Sequence, residues 1–577
     1  MQAVAKSSGP VELVALAAYS LSAFACLKVS LRLPWGEASE VLLSLSLYRA
    51  PEEKATPVDQ LSEETCNLRM RSSVSLLRVC RRLGEGDLAI LLPHLLPRIT
   101  PLLNNSLDLR HEERLQLLEA AAHGSNHFSS LADQSLYLES LLHGTLNMLA
   151  EFRAAGVLEE LSKFNALSMD VHARERLSEV VHTCEVASHA VRTSALNRKV
   201  FPAVLEPMVL LMRTIHELNP PPTARELVVI LNLETAPGSK DAMDRLQQMG
   251  VALGDEANIA RQHFVGKLRD STYEVIANAC SKNLSDSLLV QEMVFSSVLE
   301  SVAVLEPVSI YSFVRVVVRL VLHTCGSTFC ASLVNTVTRI QARIVDGIAR
   351  LNSIESTSES IALDHAWRLV QRACVDAVRE PALRAAGRLE EGLEDNFPEE
   401  FRALLLQSMS SFDSHASESS AQTVLKGMAV FQPAPVLQAC MQALCKASLH
   451  SVHESVITVL LAAISSSPQQ SASWLVSASN VSAQSVEELV SRISSSGKKS
   501  GRNALKTFIR EKLGIAFGVP EGSAKVRAVL DLDHPLIIPG KSQGQFKDPA
   551  AARQRTEALH AQVPIDLAHA FDEPDKS

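Results

Sequence analysis

Six basic side chains cluster near the C-terminal end of the chain, with Glu511 as the one acidic residue among them: Lys498, Lys499, Arg502, Lys506, Arg510 and Lys512. On a helix that begins near Gly501, positions 502, 506 and 510 share one face beside apolar side chains. Like charges at this spacing repel by roughly a few tenths of a kcal/mol per pair, and bound phosphate would relieve that repulsion. The cluster is therefore the candidate RNA-binding site. A second interpretation stays open: these are solvated cations of a terminal helix, some placed where they suit the helix dipole.

Two other segments begin like sites of known chemistry and then lack an essential residue. His111 and Glu112 open like a zinc-protease helix, but the second histidine would stand at position 115, which is Leu115. Gly540–Ser542 is similar to the end of a phosphate-binding loop, but the glycine required five residues earlier is Pro535. These departures predict a protein with no enzymatic activity, no cofactor and no metal site.

Two cysteine pairs, Cys325 with Cys330 and Cys440 with Cys445, share a five-residue spacing. Five residues of an α-helix turn through about 500°, so the two thiols of a pair point about 140° apart and cannot bind one ion on a continuous helix. Gly326 leaves an opening for a break at the first pair. We expect all four to be buried structural cysteines, and scattered cysteines without a C-x-x-C favour a reducing compartment.

The composition of the whole chain favours a helical array as the framework for such sites. With 577 residues the chain is too long for one ordinary domain, and 23 Gly are few for the turns of a sheet protein this long. Hydrophobic residues make up 46% but aromatic residues only 4%, so the core must be largely aliphatic, as in stacked helix pairs. The net charge of −9 argues against a cationic surface over the whole molecule, and any RNA site must be a local patch.

The apolar periodicity predicts a succession of amphipathic helices. One begins near Asp87 and contains Pro93 and Pro97, a second covers 108–122, and the next carries the stripe from Leu138 to Leu149. Polar breaks are predicted near 396–398, 432–435 and 465–469. Between 398 and 467 the helices shorten to about fifteen residues, the length of one solenoid helix.

These patterns divide the chain into three predicted parts. Residues 1–58 form an N-terminal helical segment, 59–514 form HEAT-like helical repeats, and 515–577 form a largely flexible tail that contains Pro and Gly. The stretch from Val11 to Leu27 is apolar, but it is too short for a membrane span and lacks the cationic start of a signal peptide. We expect it to be a buried helix, with no membrane insertion.

Several short stretches resemble the exportin-five (Hasty-type) karyopherins of the importin-β superfamily. Asn503–Arg510 (NALKTFIR) with Gly514 is similar to the basic helix near the C-terminus of that family, and Ile310–Leu322 is similar in pattern. Five further stretches resemble the middle of those proteins in order and in the gaps between them: Met70–Arg82 (MRSSVSLLRVCRR), Leu91–Leu95 (LLPHL), Leu102–Asn105 (LLNN), Leu115–Ala120 (LQLLEA) and Ser125–Phe128 (SNHF).

The resemblance, to the C-terminal half of such a receptor, implies an all-α fold that forms a HEAT-repeat (armadillo-like) superhelical solenoid. It implies a nuclear export receptor that carries structured RNA, such as hairpin microRNA precursors or tRNA, and protein cargo, with Ran in its GTP form. It also implies shuttling between nucleus and cytoplasm and contact with nuclear pore proteins, and we expect a monomer. In a curved array, Arg315, Arg319, Arg339 and Arg343 are candidates for the inner surface.

The chain departs from the family in its length and in its first residues. Members are much longer, and their Ran-binding repeats lie mainly at the N-terminal end, which nothing before Cys66 resembles. We therefore expect a fragment or shortened relative that lacks independent Ran binding and binds hairpin RNA weakly by itself. The alternative function is a non-catalytic helical-repeat scaffold for protein–protein interactions that binds neither RNA nor Ran, and the acidic net charge fits this equally well.

Overall fold

Every regular element in the described part of the chain is helical, as the periodicity predicts. The computed structural model describes residues 35–515, apart from 83–84, 105–107, 129, 192–199, 220–255, 283–286, 325–328, 352–357, 395, 412, 446–451 and 480. The α-helices are α1 (Trp35–Ser46), α2 (Glu63–Arg82), α3 (Glu85–Asn104), α4 (His111–Ser125), α5 (Leu131–Ala154), α6 (Leu161–Met169), α7 (Val171–Ala190), α8 (Val200–Leu218), α9 (Glu256–Lys282), α10 (Ser287–Val298), α11 (Pro307–Phe313), α12 (Arg319–Thr324), α13 (Ala331–Leu351), α14 (Ser358–Glu390), α15 (Glu399–Met409), α16 (Ser414–Lys426), α17 (Pro433–Leu444), α18 (His453–Ser466), α19 (Pro468–Ala478), α20 (Ala483–Ser495) and α21 (Lys498–Lys512).

In helix α3 the apolar residues predicted to share one face are the ones that pack into the core. From Leu91 onward the apolar stripe is buried: Leu91, Leu92, Leu95, Leu96, Ile99 and Leu103. Pro93, Pro97 and Pro101 lie four residues apart on the exposed face. A proline removes one backbone donor, and on this face water can satisfy the carbonyl that loses its partner. The predicted helix is confirmed, and its prolines lie within it because they face solvent.

The helices pack in two series, and the main contacts join helices that are close in chain order. In the first series, α1, α3, α5, α8, α10, α13, α15, α17 and α19 each pack against the next. In the second, α2, α4, α7, α9, α12, α14, α16, α18 and α21 do the same. Contacts between the series include α1 with α2, α8 with α9, α13 with α14, α15 with α16 and α17 with α18. The main core that results extends from Leu42 on α1 to Ile509 on α21 and is largely aliphatic.

Polar side chains of one helix bond to groups on or beside a neighbouring helix at a recurring chain separation. Examples that join partners 38 to 41 residues apart are Arg69 to the Asp108 carbonyl, Ser332 to Glu292, Arg339 to the Leu299 carbonyl, Arg343 to the Leu305 carbonyl and Arg372 to Asp413. Arginine suits this role because its rigid fork of donors reaches carbonyls and carboxylates from a neighbouring helix. The same kind of contact therefore recurs along the described chain.

A buried ion pair joins α2 to α4. The Arg69 and Glu113 side chains are both 0% exposed. Arg69 Nε donates to Glu113 Oε1 at 3.1 Å, and its Nη2 donates to Oε2 at 2.8 Å. Glu113 Oε2 also accepts the backbone N–H of Arg110 at 3.0 Å, so the carboxylate caps the first turn of α4 as well.

One helical stretch of the described chain, Pro307–Thr324, is long and apolar enough to cross a membrane by length and composition. It comprises α11, a π-helical turn over Val314–Val318, and α12. Phe313, Val317 and Val321 are each 0% exposed, and the stretch packs against α9 and α14. The stretch is therefore apolar because it is buried as a core helix.

Helix α1 lies within the predicted N-terminal segment 1–58 and packs against both α2 and α3. Its Leu42 and Leu43 belong to the same core cluster as the helices that follow. The apolar stretch 11–27 and residues 516–577 of the predicted tail lie outside the described residues.

Candidate nucleic-acid interface

Helix α21 carries the basic cluster and is held by one apolar face. Leu505, Phe508 and Ile509 are buried, and the helix packs against α18 and α20. Gly501 lies against Leu461 of α18 and Ile493 of α20, so the helices approach closely where it has no side chain. The predicted amphipathic helix is confirmed, and the basic side chains lie on its polar face.

The six predicted site residues all lie on α21, in two environments. Arg502 and Lys506 are partly buried beside α18. The other four side chains are exposed: Lys498, Lys499, Arg510 and Lys512. The structure therefore brings Arg502 and Lys506 together on one neighbour and leaves the rest of the cluster accessible to solvent.

The residue that both Arg502 and Lys506 contact is Glu454, in the first turn of α18. Arg502 Nη2 donates to Glu454 Oε2 at 2.5 Å, and the Lys506 ammonium donates to Oε1. Arg502 Nη2 also donates to the backbone carbonyl of Glu454 at 3.0 Å and to Thr458 Oγ1 at 3.3 Å. The Glu454 carboxylate thus bridges Arg502 and Lys506, two of the three stacked cations. It relieves part of the repulsion that the sequence predicts between them.

The electrostatics of Glu454 follow from these contacts. The hydrogen bond from Lys506 lowers the pKa of Glu454, and the charges of Arg502 and Lys506 act in the same direction, against the partial burial that raises it. The carboxylate is therefore ionised at neutral pH. Sequence reasoning missed it because it lies 48 and 52 residues before its two partners.

The four arginines proposed for an inner surface have different roles. Arg339 Nη1 donates to the Leu299 carbonyl at 3.0 Å and Arg343 Nη2 to the Leu305 carbonyl at 2.9 Å. The Arg343 guanidinium also lies 5.3 Å from the centroid of the Trp367 ring. Arg315 and Arg319 are exposed, and Arg315 lies over the ring of Tyr311. Arg339 and Arg343 therefore serve contacts between helices of this chain.

A buried polar chain that sequence reasoning missed joins α8 to α9. His216 Nε2 lies 2.7 Å from the Tyr273 hydroxyl, and its Nδ1 lies 2.9 Å from Ser301 Oγ. Ser301 Oγ donates to the Val298 carbonyl at 2.9 Å, so it accepts from His216, which then accepts from Tyr273. Burial, and then the charge of Arg269, lower the pKa of His216 to about 3. A histidine that donates to the serine does not activate it as a nucleophile.

The predictions of buried cysteines have mixed outcomes. Cys330 and Cys440 are buried as expected, but Cys445 is exposed, so the expectation of burial is wrong there because α17 ends at Leu444. Cys325 and Gly540–Ser542 lie outside the described residues. Within the described part of the chain, no group of three or more His, Cys, Asp or Glu side chains is placed to hold a metal ion.

No protein-family model matches the chain, and no curated protein matches it in sequence.

Proposed function

We propose that the chain is a HEAT-like (armadillo-like) helical-repeat solenoid that works by binding other macromolecules. The observation that carries the proposal is the order of packing, in which alternate helices form two series and each contacts close neighbours in the chain. Links between partners 38 to 41 residues apart agree with a helix-pair period of about 40 residues. Repeats of this class keep that period while their sequences diverge.

Within this class, the function proposed is that of a nuclear export receptor component that carries structured RNA, and protein cargo, from nucleus to cytoplasm with Ran-GTP. The similarity of Met70–Arg82 and Asn503–Arg510 to exportin-five karyopherins supports it. The exposed cations of α21 add a site with the right chemistry, since A-form RNA is bound mainly through its backbone and shape.

The test compares RNAs of one length and different shape. Fluorescence anisotropy of a labelled hairpin is measured against the whole chain at low salt, with an unstructured strand as the matched control. The proposal expects weak binding that favours the hairpin, since shape is what such a site recognises. No binding of either RNA, or equal binding of both, contradicts it.

A static scaffold for protein partners is the second candidate. The observation that favours it is the engagement of Arg339, Arg343, Arg502 and Lys506 in contacts within the chain. Cations used in this way leave fewer for phosphate, in a molecule whose net charge is −9. The anisotropy experiment separates the two, because a scaffold binds no RNA.

A further inference from the structure

The contact between α18 and α21 places a carboxylate of the chain where an external anion would bind. We propose that Glu454 is an internal competitor for phosphate, which occupies the donors of Arg502 and Lys506 and so weakens RNA binding at α21. This inference rests on the proposed RNA-binding function and adds to it a restraint built into the fold.

The geometry of the contact resembles the binding of a phosphate. Each oxygen of Glu454 accepts from a different cation, Oε2 from Arg502 at 2.5 Å and Oε1 from Lys506. Two oxygens of one RNA phosphate could take the same two donors, because both groups are anions whose oxygens diverge from one atom. The carboxylate and the phosphate therefore compete for one place.

The exposure of the three side chains makes the exchange feasible. Glu454 is 58% exposed, Arg502 36% and Lys506 30%. An incoming phosphate can reach the two cations, and Glu454 can turn into water without leaving a buried charge. Ion pairs exposed to this degree contribute little to stability, so displacement of the carboxylate costs the fold little.

The remaining cations explain why an anion would come to this place. Lys498, Lys499 and Lys512 are exposed on the same helix and pair with no acid within the described residues. They attract a phosphate backbone to α21, and the release of Arg502 and Lys506 would then add contacts to it. Because Lys506 and Arg502 keep Glu454 ionised at neutral pH, the restraint is removed by substitution and not by mild acidification.

The experiment measures hairpin RNA binding to the whole chain and to Glu454→Gln at several salt concentrations. Glu487→Gln is the matched control, because Glu487 is an exposed acid on α20, beside α21, and its loss changes the net charge equally. Glu454→Ala repeats the test without an amide oxygen that could replace the carboxylate. The melting temperature of each variant shows that it is folded.

We expect Glu454→Gln to bind RNA about tenfold more tightly than the wild-type chain, with a steeper dependence on salt, because up to two further cations meet phosphate. Glu487→Gln should differ little from the wild-type chain. If the Glu454 and Glu487 variants bind alike while Arg502→Gln with Lys506→Gln weakens binding, the competitor inference is overturned and the RNA site stands. If no variant binds RNA, the proposed function fails, and this inference with it.

Discussion

The buried ion pair of Arg69 and Glu113 withdraws two charges from water, since both side chains are 0% exposed. Such a pair is costly to break from one side, because the remaining charge stays buried without its partner. We expect Glu113→Gln to lower the free energy of unfolding by about 3 kcal/mol, measured by chemical denaturation.

The adjacent Glu112 provides the matched control, because its side chain is exposed. Glu112→Gln removes the same charge from the same turn of α4 and should change the free energy of unfolding by about 0.5 kcal/mol or less. Equal effects of the two substitutions would contradict the buried pair.

The buried His216 predicts a dependence of stability on pH. Its pKa is about 3 in the folded chain and about 6.5 when unfolded, so between these values the unfolded chain binds a proton that the folded chain does not. The contribution of His216 to stability is therefore complete above pH 6.5 and is lost as the pH falls, by up to about 1.4 kcal/mol per pH unit. Thermal unfolding between pH 7.5 and pH 4.5 should show a smaller loss of stability in His216→Gln than in the wild-type chain.

The control is His172→Gln, which removes a histidine whose side chain is 93% exposed. The wild-type profile should persist in this variant. If His216→Gln loses stability with falling pH as steeply as the wild-type chain does, the buried neutral histidine is not the cause.

At the scale of single residues, the sequence predicted the cations of α21 but not Glu454, the residue that binds two of them. The spacing of Arg502 and Lys506 follows from helix geometry, whereas Glu454 reaches them only through the packing of α18 on α21. His216, Tyr273 and Ser301 likewise meet through tertiary packing across separations of 57 and 85 residues. Local periodicity carries no information about such contacts.

At the scale of the elements, the approach of α13 to α14 depends on a glycine. A Cβ at Gly347 would overlap the ring of Trp367, which is 4% exposed. A buried indole has little room to move, so Gly347→Ala should lower the free energy of unfolding by about 1–3 kcal/mol. Chemical denaturation measures the change.

Gly387 on α14 is the matched control, because a Cβ there would meet no atom within 4 Å. Gly387→Ala should raise stability by about 0.5–1 kcal/mol, as alanine favours the helix and restricts the unfolded chain. Substitutions that change stability in the same direction would show that α13 and α14 do not meet as described.

The elements themselves were well predicted where polar breaks are sharp. The breaks near 396–398 and 465–469 coincide with the starts of α15 and α19. The helix predicted over 108–122 runs from His111 to Ser125, and the helices from α15 to α18 have 11 to 14 residues against the expected fifteen or so. Which helices contact each other could not be predicted from the sequence. An amphipathic apolar stripe can pack against a helix of either series, so the stripe does not identify its partner.

For the whole molecule, the solenoid proposal predicts elongation, since stacked repeats contact only their neighbours. A compact sphere of 577 residues would have a radius of gyration of about 25 Å. Small-angle scattering of the whole chain should give a clearly larger value. A radius near that of the sphere would contradict the solenoid.

The central claim is that an acidic molecule binds structured RNA through one local cationic helix. The most direct test is the salt dependence of hairpin RNA affinity for Arg502→Gln/Lys506→Gln/Arg510→Gln, compared with Arg71→Gln/Arg213→Gln/Lys267→Gln. The second set removes three exposed cations from other helices and so changes the net charge equally.

Loss of the α21 cations should weaken binding and reduce the slope of log affinity against log salt by up to about three, because each lost phosphate contact removes about 0.9 and Glu454 limits the contacts that Arg502 and Lys506 make. Stability should change by about 1 kcal/mol or less, since these ion pairs are partly exposed to solvent. The control variant should keep the wild-type slope. Identical slopes for the wild-type chain and the α21 variant would contradict the claim.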